Sequence, residues 1–342
     1  MGKKEMVTFD FGNRTVKIIE GSYKKNIDIK KYINLELPHH MYENGIISNM
    51  DAFSKLISES FLKNGIKAKK CRMCFNASNI ILRTFELPTQ KDRDIPQILD
   101  FEISENLPIL INDYVMEYQV VKRYSKDNIS FSKVLVALVP KKIVSQFYTL
   151  AQRLQLQPEL LDLNSNAHDI LYFKFIPKIE GIQAFMDIGF DLTHISIYQN
   201  GEWSFSKTLD IGVSDLYFKV ANAYNIELFD AEKRLESIEF SYSNEKSEIQ
   251  VLVEEGIDDL ITEVSRAFRY YTSQNSEWVV EKITLLGGVH QMDILINKLE
   301  KSFEAKIDTF TEAFTPILSD FIDENKDFSI DLYANAMGLL CR

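Results

Sequence analysis

Two short runs of this chain set an acidic side chain beside a glycine turn. They are Val7-Thr8-Phe9-Asp10-Phe11-Gly12-Asn13-Arg14-Thr15-Val16-Lys17-Ile18 and Ala184-Phe185-Met186-Asp187-Ile188-Gly189-Phe190-Asp191-Leu192-Thr193-His194-Ile195. In each, an apolar run ends on Asp-x-Gly and a polar turn leads into a second apolar run, so each reads as a strand-turn-strand hairpin. Backbone N–H groups in such a turn can cradle phosphate, and an Asp beside it can hold Mg²⁺ through water. Asp-x-Gly alone is common in ordinary turns, so the repeat is the signal. Positions 10 and 187 stand about half of the 342-residue chain apart, which predicts two similar domains facing each other.

A third glycine element, Gly287-Gly288, follows the strand-like Ile283-Thr284-Leu285-Leu286 and precedes a helical pattern. Without a Cβ, glycine lets a flat or anionic group approach closely, although a tight strand-to-helix turn has the same composition. Cys71-Arg72-Met73-Cys74 has the spacing of a zinc or redox pair. No second Cys pair or close His pair accompanies it, and its surroundings mix apolar and polar residues as a strand does, so it reads as structural. His39 and His40 sit in a Pro-bearing loop and are assigned no ligand role.

The elements that must position these residues follow from periodicity. Residues 6 to 35 read as two or three strands with a turn at Gly21-Ser22-Tyr23. A helix spans Asp51 to Lys63 with Phe53, Leu56, Ile57 and Phe61 on one face, and Asn64-Gly65 stops it. Strand-like runs follow at Cys71 to Phe75 and Ile80 to Phe85. Residues 88 to 158 read as a small inserted α+β unit: a helix from Asp94 to Asn106, strands near Tyr114 to Arg123 and Ser130 to Val139, and a helix from Lys141 to Leu154. The strongest helical stripe is Ile257, Leu260, Ile261, Val264, Phe268 and Tyr271, and a terminal helix spans Ile330 to Leu340.

Composition bounds the partners. Fifty Asp and Glu against 39 Lys and Arg give a net charge of −11 and a pI near 5.1. Long-range electrostatics therefore oppose broad contact with a nucleic-acid backbone. No stretch approaches the roughly 20 apolar residues that span a bilayer, no signal-peptide core opens the chain, and three cysteines build no disulfide framework. A cytoplasmic protein is the expectation.

Taken in order, the first hairpin, inserted unit, second hairpin, Gly-Gly turn and terminal helix resemble the actin-like ATPase superfamily. The finer resemblance is to the type IV pilus assembly protein PilM family, itself related to FtsA. It is carried by Asp10 to Glu20, Gly45-Ile46-Ile47-Ser48-Asn49, Ile80 to Pro88, Glu105-Asn106-Leu107-Pro108 with Asp113-Tyr114, Val136 to Lys142, Tyr270 to Gln274 and Tyr333-Ala334-Asn335-Ala336-Met337-Gly338-Leu339. The resemblance implies an α/β, actin-like two-domain fold of duplicated ribonuclease-H-like domains. The first domain is expected over residues 1 to 180, with the inserted subdomain at 88 to 158. The second is expected over 181 to 342, with its terminal helix, 330 to 341, packing back toward the first.

It further implies ATP with Mg²⁺ in the cleft. Gly12, Asn13, Arg14 and Thr15 would meet the terminal phosphates with Lys17 as counter-charge, and Asp10 and Asp187 would orient the hydrated metal. Gly189 would let the second loop approach, Gly287 and Gly288 would face the nucleoside, and Glu232 would reach the ribose. Four departures weaken the pattern: Asn13 and Arg14 replace small hydroxyl residues, Phe190 and Asp191 replace small ones, Val289-His290-Gln291 follows Gly288, and Leu235 stands where a lysine is common. Asp191 would repel a triphosphate if it pointed inward, and Arg14 would offset that charge. No His, Glu or Gln stands out as a catalytic base, so the expectation is at most a weak ATPase.

The implied function is a nucleotide-binding adaptor of type IV pilus, or related secretion or competence, assembly. Its implied partner is the N-terminal tail of an inner-membrane PilN-like protein, which would recruit it to the inner face of the membrane; pilus motor ATPases are further implied partners. Leu107, Pro108, Ile109 and Tyr114 are the candidate contacts for that tail. Three alternatives stay open: a nucleotide-free GspL-like scaffold, an FtsA-like or MreB-like filament former, and a small-molecule kinase of the same superfamily.

Overall fold

The computed structural model describes residues 5–88, 91–176, 180–236, 247–273, 279–288 and 293–342. Strands β1 (Met6–Phe11), β2 (Thr15–Tyr23) and β3 (Ile27–Glu36) form an antiparallel meander. The short pair β4 (Tyr42–Glu43) and β5 (Ile46–Ile47) leads into α1 (Met50–Asn64). The Asn49 side chain caps α1, and Gly65 ends it at φ 62°, a left-handed conformation that favours glycine. β6 (Lys70–Phe75) then returns parallel to β1. Every residue of β1 is buried, because the sheet is covered on both faces.

An inserted unit follows: β7 (Ile81–Pro88), α2 (Ile95–Asn106), β8 (Tyr114–Lys126) and β9 (Ile129–Pro140), with sheet order β7-β9-β8. Ile95, Leu99 and Ile103 of α2 close its small core against Phe85, Val134 and Val136. The next helix, α3 (Lys141–Arg153), is expected in this unit from its place in the sequence. Its stripe Ile143, Phe147 and Leu150 instead packs with Phe9, Phe11 and Phe53 of the first lobe, so the inserted sheet spans residues 81 to 140. β10 (Gln157–Leu163) pairs with β6 and completes the sheet order β10-β6-β1-β2-β3.

Helix α4 (Asn164–Phe175) leads to the second lobe: β11 (Ile182–Ile188), β12 (Thr193–Gln199), β13 (Glu202–Leu209), α5 (Val213–Tyr224), α6 (Leu228–Glu236), α7 (Glu248–Thr272), β14 (Lys282–Gly287), α8 (Asp293–Phe303), β15 (Lys306–Thr309), α9 (Phe310–Glu324) and α10 (Ile330–Cys341). Its sheet order, β13-β12-β11-β14-β15, repeats the first strand for strand, with the same parallel and antiparallel senses. This is the duplicated α/β, actin-like architecture. The apolar stripe of α7 fills the core of the second lobe as the spacing predicts.

Between the sheets, α4, α9 and α10 share a further cluster built on Tyr172, Phe185, Phe310, Phe314, Tyr333 and Met337. α10 packs against α4, β1, β2 and β6 of the first lobe and β14 of the second. It approaches α4 so closely that a Cβ on Gly338 would stand 1.9 Å from the Ala167 carbonyl oxygen.

Candidate functional site

The two Asp-x-Gly turns close alike. Gly12 N–H donates to Thr15 O at 3.0 Å, and Gly189 N–H donates to Leu192 O at 2.9 Å. In register, Asp10 faces Lys17 on β2, and Asp187 faces His194 on β12. The copies therefore put a carboxylate at the same strand end and a basic residue opposite it.

The two carboxylates meet at one amide. Asn335 on α10 donates through Nδ2 to Asp10 Oδ2 at 3.3 Å and to Asp187 Oδ2 at 3.2 Å. Asn164, the first residue of α4, donates to Asp10 Oδ1 at 3.0 Å, while its own Oδ1 is buried with no hydrogen-bond partner. His168 faces Asn335 Oδ1 through Nδ1 at 3.0 Å and so fixes which way that amide points. The Thr8 hydroxyl donates to Ala336 O at 2.8 Å, pinning α10 to β1. Burial raises the Asp10 carboxyl above its ordinary range; Lys17 pulls it down, Asp187 pushes it up and the two amides pull it down.

The loops cross-link the lobes. The Asn13 side chain donates to Asp191, and Asn13 Oδ1 accepts from the Asn44 backbone at 3.2 Å. Arg14 pairs with Glu232 at 2.8 Å and also lies 3.2 Å from His39. The expectation that Arg14 offsets Asp191 is thus replaced: Asn13 holds Asp191, and Glu232 holds Arg14. Thr15 opens β2, and the Lys17 ammonium lies 3.3 Å from where a Gly12 Cβ would be. Gly287 sits at φ +90°, and a Cβ there would stand 2.3 Å from Ile188 O and 3.1 Å from Asp187 Oδ1, so this position demands glycine. Gly288 is exposed, with open space where its Cβ would be. Val289, His290 and Gln291 lie outside the described residues.

Hard oxygen ligands at Asp10 and Asp187, with the open Asn164 Oδ1 beside them, fit a hydrated Mg²⁺. Among the described residues no group of three or more His, Cys, Asp or Glu side chains gathers to hold a metal, so an ion here would keep much of its water. Cys71 and Cys74 are three positions apart on β6, hence on opposite faces, and both are buried and unbridged.

A second feature lies apart from the acidic turns. A cavity of 780 Å³ opens between the inserted sheet, β10, α4 and the β12–β13 hairpin, with Val115, Tyr118, Leu161, Phe173, Tyr198 and Trp203 on its walls. The four residues picked from sequence as partner contacts do not line it. Leu107, Ile109 and Tyr114 pack on the core of the inserted unit, and Pro108 is exposed. Sequence reasoning also missed Asn164, His168 and Asn335 as parts of the cleft.

The family described as type IV pilus assembly protein PilM matches residues 8–340. Among solved structures, a "PilM-PilN type IV pilus biogenesis complex" is similar at TM-score 0.82 and 18% identity, over 99% of this chain and 98% of that one. Ethanolamine utilization protein EutJ from Carboxydothermus hydrogenoformans is similar at TM-score 0.55 and 11% identity, over 100% of this chain and 90% of that one.

Proposed function

The chain belongs to the type IV pilus assembly protein PilM family, and from that premise we propose that it works as a nucleotide-binding adaptor in pilus assembly. Mg-ATP sits between the lobes, and the N-terminal tail of a PilN-like inner-membrane protein sits in the groove beside the inserted unit. The observation that carries the first half is the convergence of Asp10 and Asp187, half the chain apart, on the single amide of Asn335. The turns closed by Gly12 and Gly189 would supply backbone for phosphate, Gly287 allows close approach, and Asp10 and Asp187 would hold the hydrated ion that offsets phosphate charge.

The second half is supported by the similarity to the PilM-PilN complex and by the 780 Å³ cavity, whose walls carry Val115, Leu161, Phe173 and Trp203 as apolar contacts for a peptide. Its walls include β8 and β10, the edge strands of their sheets, whose backbone can pair with such a peptide. Among the described residues no helix is long and apolar enough to cross a membrane, and recruitment to the inner face of the membrane is assigned to the partner.

One arrangement favours a second reading. The Asn13–Asp191 and Arg14–Glu232 contacts join the lobes with protein groups alone, as a nucleotide-free scaffold would. Titration calorimetry with Mg-ATP separates the two. The wild type is expected to bind and Asp187→Ala to lose binding; equal affinity in both removes that carboxylate from the site, and no heat in either selects the scaffold.

A further inference from the structure

A buried polar chain runs from the acidic cleft to the groove. Asn335 donates to Asp10 and Asp187 and accepts from His168 Nδ1 at 3.0 Å. His168 Nε2 lies 3.4 Å from Asp169 Oδ1, and the Tyr198 hydroxyl donates to Asp169 Oδ2. Asp169 and Tyr198 are themselves groove wall. All four chain members are at most 8% exposed, and the His168 ring lies among Phe185 and Phe310.

Polar groups buried in an apolar cluster are costly unless each finds a partner, so this chain is a poor way merely to fill space. One link is open. Asn335 Oδ1 can only accept, so His168 Nδ1 carries the hydrogen, and the neutral ring then turns a bare Nε2 toward a carboxylate oxygen. Neither of those two atoms makes a regular hydrogen bond. A single proton between them, with an approach of a few tenths of an ångström, closes the link. Burial pushes the Asp169 carboxyl up to about 6 against the lowering pull of His168, Tyr198 and Ser196, so a proton at this link is favoured more than on an exposed carboxyl.

The scaffold for such a link is α4. Its first residue, Asn164, holds Asp10, while Ser165, Asp169, Ile170 and Phe173 line the groove. One helix thus touches both sites with different faces.

We propose that the Asn335–His168–Asp169–Tyr198 chain, carried on α4, couples the acidic cleft to the groove, so that Mg-nucleotide and the partner peptide alter each other's affinity. This rests on the reading of the cleft as a nucleotide site and the groove as a peptide site. A ligand that draws on the Asp10 and Asp187 oxygens changes the load on the Asn335 amide, which reorients His168 and makes or breaks its link to Asp169. Linkage requires the effect to run equally in both directions.

Trp203 provides the readout, because it lines the groove and pairs in register with Tyr198. The chain has two tryptophans, so a Trp278→Phe background leaves Trp203 as the sole tryptophan, read by selective tryptophan excitation. Mg-ATP is titrated into that parent, into His168→Gln and into Tyr198→Phe, with binding heat followed in parallel. Tyr198→Phe removes one hydroxyl and keeps the ring against Phe173 and Phe185, so it guards against a His168 variant that fails to fold. The expected result is a Trp203 emission change in the parent and its loss, at least fivefold in amplitude, in both variants, with Mg-ATP binding heat retained in Tyr198→Phe. Binding heat in the parent without a Trp203 response overturns the coupling and spares the nucleotide site, as does a response of undiminished size in Tyr198→Phe. Absence of binding heat overturns both.

Discussion

Removing the charge of Glu232 is expected to tighten Mg-ATP binding. Arg14 and Glu232 stand 2.8 Å apart, with side chains 29% and 9% exposed. At an effective dielectric of about 20 their gross attraction is roughly 6 kcal/mol, most of which desolvation and side-chain ordering offset. A charged hydrogen bond of this kind contributes about 1.5–3 kcal/mol net. A phosphate at the Gly12–Thr15 turn has to draw Arg14 away from that partner. Glu232→Gln keeps the volume and an acceptor oxygen but gives up the charge, so about half the net, roughly 1.1 kcal/mol, is returned to the ligand. That corresponds to about sixfold tighter binding. Titration calorimetry of wild type and variant at one Mg²⁺ concentration reads it directly. Weaker binding in Glu232→Gln would refute the competition and give Glu232 the ribose contact that the sequence resemblance implies. Equal affinity would mean that Arg14 never serves the phosphates.

Two further outcomes concern stability. Burial lowers His194 to about 3, and its Nδ1 contacts the Thr208 hydroxyl at 2.9 Å. The unfolded chain protonates this group near 6.5 and the folded chain only near 3, so stability falls as pH drops through that window, by about 2.5 kcal/mol between about pH 7 and about pH 4.5. Denaturant titrations of wild type and His194→Gln should therefore diverge with pH, the variant losing less; parallel curves would show that His194 is not held neutral. Gly338→Ala places a methyl 1.9 Å from Ala167 O, forces α4 and α10 apart and is expected to cost about 3 kcal/mol or more. A melting temperature within a degree or two of wild type would disprove that the helices pack this closely.

Much of the fold was legible because its signals are local. The Asp-x-Gly hairpins declare themselves by two apolar runs around a glycine turn, and the turn length alone fixes Asp10 opposite Lys17 and Asp187 opposite His194. Other features depend on tertiary partners. Gly21 reads as a turn residue, yet it lies inside β2 beside a shift of register, where a Cβ would stand 2.5 Å from Asp28 O; the chain reverses after Tyr23. Helix α4 escaped notice because Asn164, His168 and Asp169 interrupt the apolar stripe that periodicity seeks. Asn335 reads as one polar residue in an apolar terminal helix, and nothing nearby reveals carboxylates far away in sequence. A partial signal was present on β12, where His194, Ser196 and Tyr198 alternate with Ile195 and Ile197 and all five are buried. A polar strand face that is also buried has to be covered by something polar, here the chain on α4. The groove was hidden for the same reason, being assembled from the inserted sheet, β10, α4 and a hairpin of the other lobe.

The duplication is exact in strand order and broken in charge, and the break sets what the cleft can hold. Lys17 and His194 occupy the same place in the two copies, directly opposite Asp10 and Asp187. In the first copy a fixed ammonium balances its carboxylate. In the second, burial holds the imidazole neutral, so β12 brings no cation opposite Asp187. Asn335 supplies hydrogen bonds to both carboxylates but no charge. The residual negative charge reaches Asp10, where the proximity of Asp187 adds to burial in raising its carboxyl. A hydrated divalent cation, as proposed, would relieve that repulsion and turn the balance of the two hairpins positive, the sign that would favour a phosphate. A second lysine at position 194 would neutralise the pair without metal; with a neutral histidine there, the proposed Mg²⁺ is the charge that would do so.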